Sequence, residues 1–358
     1  MLSTVQSASA LYDDGARYAF VASAVGKAIL VIDLQEQQLV HTIALQRAPA
    51  TVLVSERLKA LVITYPAEQR LTLIDLRTAG LEQIDYPLRL TPTLVAMSPV
   101  GETVAIYDHE ARKLEIHDIR RQAVVLATGD LVVSAELSFS ADATKVYWID
   151  EVAGSFNSID LWSNRDSIRL AGPAAGLSPM SHSVDGSLAF ISEASANRVH
   201  MINLLTFAPI MQVPVGSHPG RPWGTSDGRY MLVPNTGDGT VTAISAMTGA
   251  AIYTAAAVDE PLFIHPGWLD TLAAVVGKSG QVAFIDIDDG RVTRRFELQG
   301  RPADGIVTSD SRTLAIPVPG TGSLVFFDMR QRSRAASVAG LPTDIGPAAL
   351  AISNNLCH

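Results

Sequence analysis

An alternating apolar run that closes on a small polar residue recurs along this chain with a period near 42 residues. It reads ILVIDL, LTLIDL, LEIHDI, FNSIDL, VHMINL, VTAISA, VAFIDI and LVFFDM. The closing positions are Asp33, Asp75, Asp118, Asp160, Asn203, Ser245, Asp286 and Asp328. The intervals are 42, 43, 42, 43, 42, 41 and 42 residues, a regularity that a set of like structural units explains. A second series, of turns, keeps time with the first: Asp14-Gly15, Glu56-Arg57, Val100-Gly101, Ala141-Asp142, Asp185-Gly186, Asp227-Gly228, Leu269-Asp270 and Asp310-Ser311.

Between the two landmarks each unit holds a short apolar run, such as YAFVAS (18–23) or YMLVPN (230–235), and then a polar hairpin such as TGDG (236–239). After the closing residue comes a third run, as in LVHTIAL (39–45), and a Pro/Gly-containing link into a fourth, as in PATVLVS (49–55). Period-two patterning without a helical period predicts strands. Four strands per unit and eight units predict an all-β, eight-bladed β-propeller of four-stranded antiparallel blades, with residues 1–358 as one domain. The 47% hydrophobic and 18% charged composition suits such a packed ring. Innermost-strand candidates number nine because SALYDD (9–14) precedes the first unit and PAALAIS (347–353) follows the eighth. The N- and C-terminal strands are therefore both expected at the ring closure, one of them completing the first blade. Residues 354–358, with the single cysteine Cys357, form a terminal tail, and a single cysteine excludes an intrachain disulfide.

The pattern of turn, apolar strand, hairpin and V-x-x-I-D-like strand resembles the YVTN family of β-propellers along essentially the whole chain. The resemblance implies an exported protein, periplasmic or extracellular. The first residues, MLSTVQSASALY, lack a basic and apolar leader, so a signal peptide is expected to be absent from this sequence. A net charge of −9 opposes binding to nucleic acid or anionic lipid. No run of eighteen apolar residues offers membrane insertion.

No CxxC, HExxH, GxSxG or Walker motif is present. A propeller site is instead assembled from single residues of different blades at the channel mouth. The repeated aspartates are expected to cap turns. Asp286, Asp288 and Asp289 with Gly290, and the series Arg330, Arg332 and Arg334, are expected in solvated turns. His41, His117 and His200 fall in outer strands and His109 in a hairpin, where structural roles are expected. His182, His218 and His265 belong to consecutive blades near the innermost strands. They are candidates to converge on a metal ion or planar cofactor, the alternative being that each bonds a neighbouring loop. Arg221 adds a planar cation suited to an oxyanion, and Trp223 and Trp268 flank the region.

HPGR (218–221) and LFIHP (262–266) resemble segments of the eight-bladed haem-binding domain of cytochrome-type nitrite reductases. That resemblance implies His218 and His265 as pocket histidines and Arg221 as partner of an anionic group. The chain lacks CxxCH, so it implies a stand-alone cofactor-binding or maturation relative. The expected function is thus an exported ligand-binding or accessory protein. Its metal ion or haem-type cofactor would be held by His182, His218 and His265, with Arg221 and Trp223 as further contacts. Two alternatives stand beside it: a platform for a partner protein, and a channel-mouth redox enzyme or lyase with a histidine base.

Overall fold

The computed structural model describes residues 11, 12, 17–343 and 350–352. Eight sheets of four antiparallel strands stand in a ring. Among the described residues helix is limited to three single 3-10 turns, Pro66–Glu68, Ala194–Ala196 and Pro319–Thr321. Among the described residues no helix is long and apolar enough to cross a membrane.

Seven blades are contiguous in sequence: 51–87, 94–128, 137–169, 181–214, 223–256, 261–297 and 306–339 are blades two to eight. Blade one is shared between the termini. Leu350–Ile352 pairs antiparallel with Tyr18–Ser23, Phe20 facing Ala351, and so supplies the innermost strand. The C-terminal candidate closes the ring. Of the N-terminal candidate, Leu11 instead packs against the blade-one and blade-two core, its N–H donating to the Leu76 carbonyl at 2.9 Å. Ser9, Asp14 and Pro347, together with Cys357 and the rest of 354–358, lie outside the described residues.

The second and third strands of each blade are apolar on both faces because they are sandwiched between neighbouring blades. Tyr18–Ser23 is buried throughout, whereas the fourth strand Gln38–Ala44 is largely exposed. Phe20, Tyr107, Phe156, Phe190, Phe284 and Phe327 are among the largest side chains fully removed from water, each contributing about 1.5–3 kcal/mol by burial. All eight closing residues of the repeat end a third strand, and their side-chain oxygens accept N–H bonds from the turn that follows. Asp33 accepts from Gln35 and Glu36, Asn203 from Leu205 and Thr206, and Asp328 from Gln331. The repeat signature is therefore a turn cap.

Antiparallel order fixes which loops share a side. Links into the innermost strands and hairpins between second and third strands lie at one mouth of the channel. The first-to-second and third-to-fourth turns lie at the other.

Candidate functional site at the channel mouth

Innermost strands are short on one half of the ring: Leu137–Phe139, Ser181–His182, Trp223–Gly224 and Ile306–Val307, with Pro261–Gly267 longer. Short strands leave the preceding links irregular, which frees their side chains to reach across blades. Arg221 in blade six does so. Its Nη1 donates to both carboxylate oxygens of Glu136, at 2.9 and 3.3 Å, and Glu136 belongs to blade four, 85 residues away. Its Nε donates to Ser181 Oγ of blade five at 3.3 Å, and its guanidinium lies 5.5 Å from the Trp223 ring centre. Glu136 keeps 52% of its side chain exposed, so this pair is worth at most about 1 kcal/mol.

Trp223 continues the chain of contacts, meeting His265 of blade seven edge-on at 5.4 Å between ring centres. His265 is buried, and its Nε2 lies 3.6 Å from Asp304 Oδ1 at the threshold of blade eight, an ion-pair distance beyond hydrogen-bond length. Asp304 keeps about a third of its side chain exposed, with Oδ1 covered. Burial pushes its carboxyl up to about 7; Arg221 pulls down and Glu136 pushes up. A carboxyl raised toward neutrality can both give and take a proton.

His182 leans on blade four. Its Nε2 is 3.1 Å from Ser138 Oγ and its ring packs against Tyr147. Burial lowers it to about 4, so the imidazole is neutral at pH 7; a backbone contact with Phe139 opposes the shift and Arg221 reinforces it. His182 Nδ1, Trp223 Nε1 and Asp304 Oδ1 are buried and have no hydrogen-bond partner among the described residues. An orphaned buried polar atom costs about 1–3 kcal/mol; others lie within the blades, among them those of Thr64, Ser158, Ser192 and Asn235, whereas these three gather near Arg221.

His218 departs from expectation. Its backbone adopts φ +50°, its N–H donates to Asn197 Oδ1, and its carbonyl accepts from the Thr236 N–H and hydroxyl. The exposed imidazole pairs with Ser217 Oγ. It fastens the link to two hairpins and does not join His182 and His265. Among the described residues no group of three or more His, Cys, Asp or Glu side chains could hold a metal ion, so the expected three-histidine metal site is not assembled. Trp268 lies outside the cluster as well, under the Arg330 guanidinium at the opposite side. Sequence reasoning singled out His182, Arg221, Trp223 and His265 but missed Glu136 and Asp304. A signal existed: both stand five or six residues before their turns at Ala141 and Asp310, the same offset as Arg221 from Asp227 and His265 from Asp270.

No family model and no curated protein matches the sequence. Solved structures do match by shape. NirN, described as a dihydro-heme d1 dehydrogenase in complex with DHE, has a TM-score of 0.76 and 16% identity, over 100% of this chain and 79% of that one. BamB from Moraxella catarrhalis scores 0.61 at 15% identity, covering 84% and 92%. The C-terminal WD40 domain of Sif2 scores 0.67 at 11% identity, covering 86% and 93%. At such identities the likeness establishes the propeller fold.

Proposed function

We propose that this propeller is an exported ligand-binding protein whose ligand sits at the channel mouth among Glu136, His182, Arg221, Trp223, His265 and Asp304. The observation that carries the reading is the chain of ion-pair, cation–ring and aromatic contacts that runs from blade four to blade eight through Glu136, Arg221, Trp223, His265 and Asp304, with buried polar atoms of His182, Trp223 and Asp304 gathered beside it. The YVTN resemblance and the likeness to NirN and BamB support export.

A haem-type or other metal-containing cofactor is the form of ligand that the likeness to NirN suggests. The residues present do not fit it. His182 offers Nε2 to Ser138 and buries Nδ1 within the blade, His265 is turned to Asp304, and His218 is engaged by its own loop. A second reading, a platform for a partner protein, rests on the opposite side of the ring. There Trp162, Leu205 and Met247 project from third-to-fourth turns with 73%, 81% and 84% of their surface exposed.

Native mass spectrometry of protein incubated with the small-molecule fraction of a cell extract tests the reading. The wild type is expected to retain one or more small molecules that the Arg221→Gln/His265→Phe double variant loses. An Arg121→Ala control, altered in an exposed turn, is expected to keep them. Equal retention in all three proteins, or none in any, contradicts the proposal.

A further inference from the structure

The guanidinium of Arg221 is held in place but incompletely used. Ser181 Oγ and the Trp223 ring fix its plane from two sides. Glu136 meets it through Nη1 alone, both carboxylate oxygens crowding one nitrogen, and Nη2 makes no hydrogen bond among the described residues. The two-pronged pairing that a carboxylate forms with an arginine fork is therefore not made. Around this fork stand a buried indole N–H, that of Trp223, and a carboxyl, that of Asp304, whose Oδ1 is also without a hydrogen bond. Glu136 has no other hydrogen bond or ion pair among the described residues and is half in water, so it can swing away without leaving a buried charge.

We infer that the channel mouth takes a small carboxylate-bearing molecule, whose carboxylate replaces Glu136 on Arg221 in a two-pronged pair. This rests on the ligand-site reading above. Glu136 is then an internal competitor that occupies the arginine when no ligand is bound and sets the affinity. Trp223 Nε1–H and Asp304 supply donors to further oxygens of the ligand, which favours a dicarboxylate or hydroxy acid over acetate. The opposing charges are two carboxyls: Glu136, which leaves the site, and Asp304, which burial keeps protonated on the acid side of neutrality; the imidazoles of His182 and His265 are not anionic.

Titration calorimetry at pH 6 with succinate, glutarate, malate and acetate, and with phosphate and chloride as controls, tests this on the full chain. At least one dicarboxylate is expected to bind saturably. Glu136→Ala removes the competitor and is expected to tighten binding about fivefold, the worth of an exposed ion pair. Arg221→Lys keeps the charge but loses the fork and is expected to weaken binding at least about tenfold. Trp223→Phe keeps the ring and removes the N–H, and should weaken binding less. Circular dichroism confirms folding of each variant; Glu136→Ala alters an exposed side chain and keeps the test valid if another variant unfolds. Binding of no carboxylate to wild type or Glu136→Ala, or binding indifferent to Arg221→Lys, overturns the inference. If the mass spectrometry above finds a retained molecule without a carboxylate, the inference fails and the ligand-site reading stands. If it finds nothing retained and no carboxylate binds, both fail.

Discussion

Two regions of this ring bury histidines, and they treat them in opposite ways. In the third strand of blade three, His117 is closed on both nitrogens: Nδ1 lies 2.8 Å from the Tyr86 hydroxyl and Nε2 3.0 Å from Glu115. In blade five, His200 Nε2 lies 2.8 Å from Glu193, whose same oxygen also accepts from Arg198. Burial lowers both histidines below their usual range, against the pull of the adjacent glutamate, so each is neutral at pH 7 and gives one N–H to a carboxylate. On the innermost strands, His182 leaves Nδ1 without a hydrogen bond among the described residues, and His265 stands between the Trp223 ring and Asp304, 3.6 Å from the latter. The same residue type thus serves as a closed internal strut in the outer sheet and as part of an open polar cluster at the mouth. For His117 and His182, burial alone does not separate strut from mouth; the hydrogen bonds on the two ring nitrogens do.

The comparison can be broken at its strut end first. Glu193→Ala leaves Arg198 and His200 without their shared acceptor, and a loss of about 3 kcal/mol in unfolding free energy is expected by chemical denaturation. At the mouth the effect is smaller. His182→Phe removes an orphaned nitrogen but also the bond from Nε2 to Ser138, so the two offset and stability at pH 7 should change by less than about 1 kcal/mol. A loss as large as that of Glu193→Ala would show His182 to be a strut too.

Acidity sharpens the contrast further. Asp304 has a folded pKa of about 7 against an ordinary 3.8, so the folded state holds a proton that the unfolded chain releases. Its ionisation removes stability as pH rises from about 4 to about 7, and Asp304→Asn should abolish that slope. His182, at about 4 against 6.5, acts in the opposite sense: stability falls as pH drops from about 6.5 to about 4, a slope that His182→Phe removes. Melting temperatures of wild type and both variants across pH 4 to 7 check the two signs. The smallest effect belongs to the rim: Glu136→Ala should change stability by less than about 1 kcal/mol.

The architecture was legible because a 42-residue period writes itself eight times, and because capping aspartates must end the third strand wherever they occur. Position before the repeated turns also brought His182 and His265 to the innermost strands; in the structure His182 packs against Tyr147 and His265 against Trp223. What could not be read was direction within irregular links. His218 lies in a link that turns at φ +50° to meet Asn197 and Thr236, a choice made by hairpins of two blades and not by its own sequence. Glu136 and Arg221 meet across two blades, and no local pattern reports a contact 85 residues apart. Only the offset shared with other blades marks Glu136 and Asp304, and it becomes meaningful once the ring places equivalent offsets side by side.

Histidine-selective NMR tests the central distinction most directly, because one spectrum reports struts and mouth together. On addition of the small-molecule fraction that the protein retains, the account predicts that the imidazole signals of His182 and His265 shift while those of His117 and His200 stay in place. Shifts confined to His117 and His200, or no shift at His182 and His265 while a ligand is demonstrably bound, would contradict it.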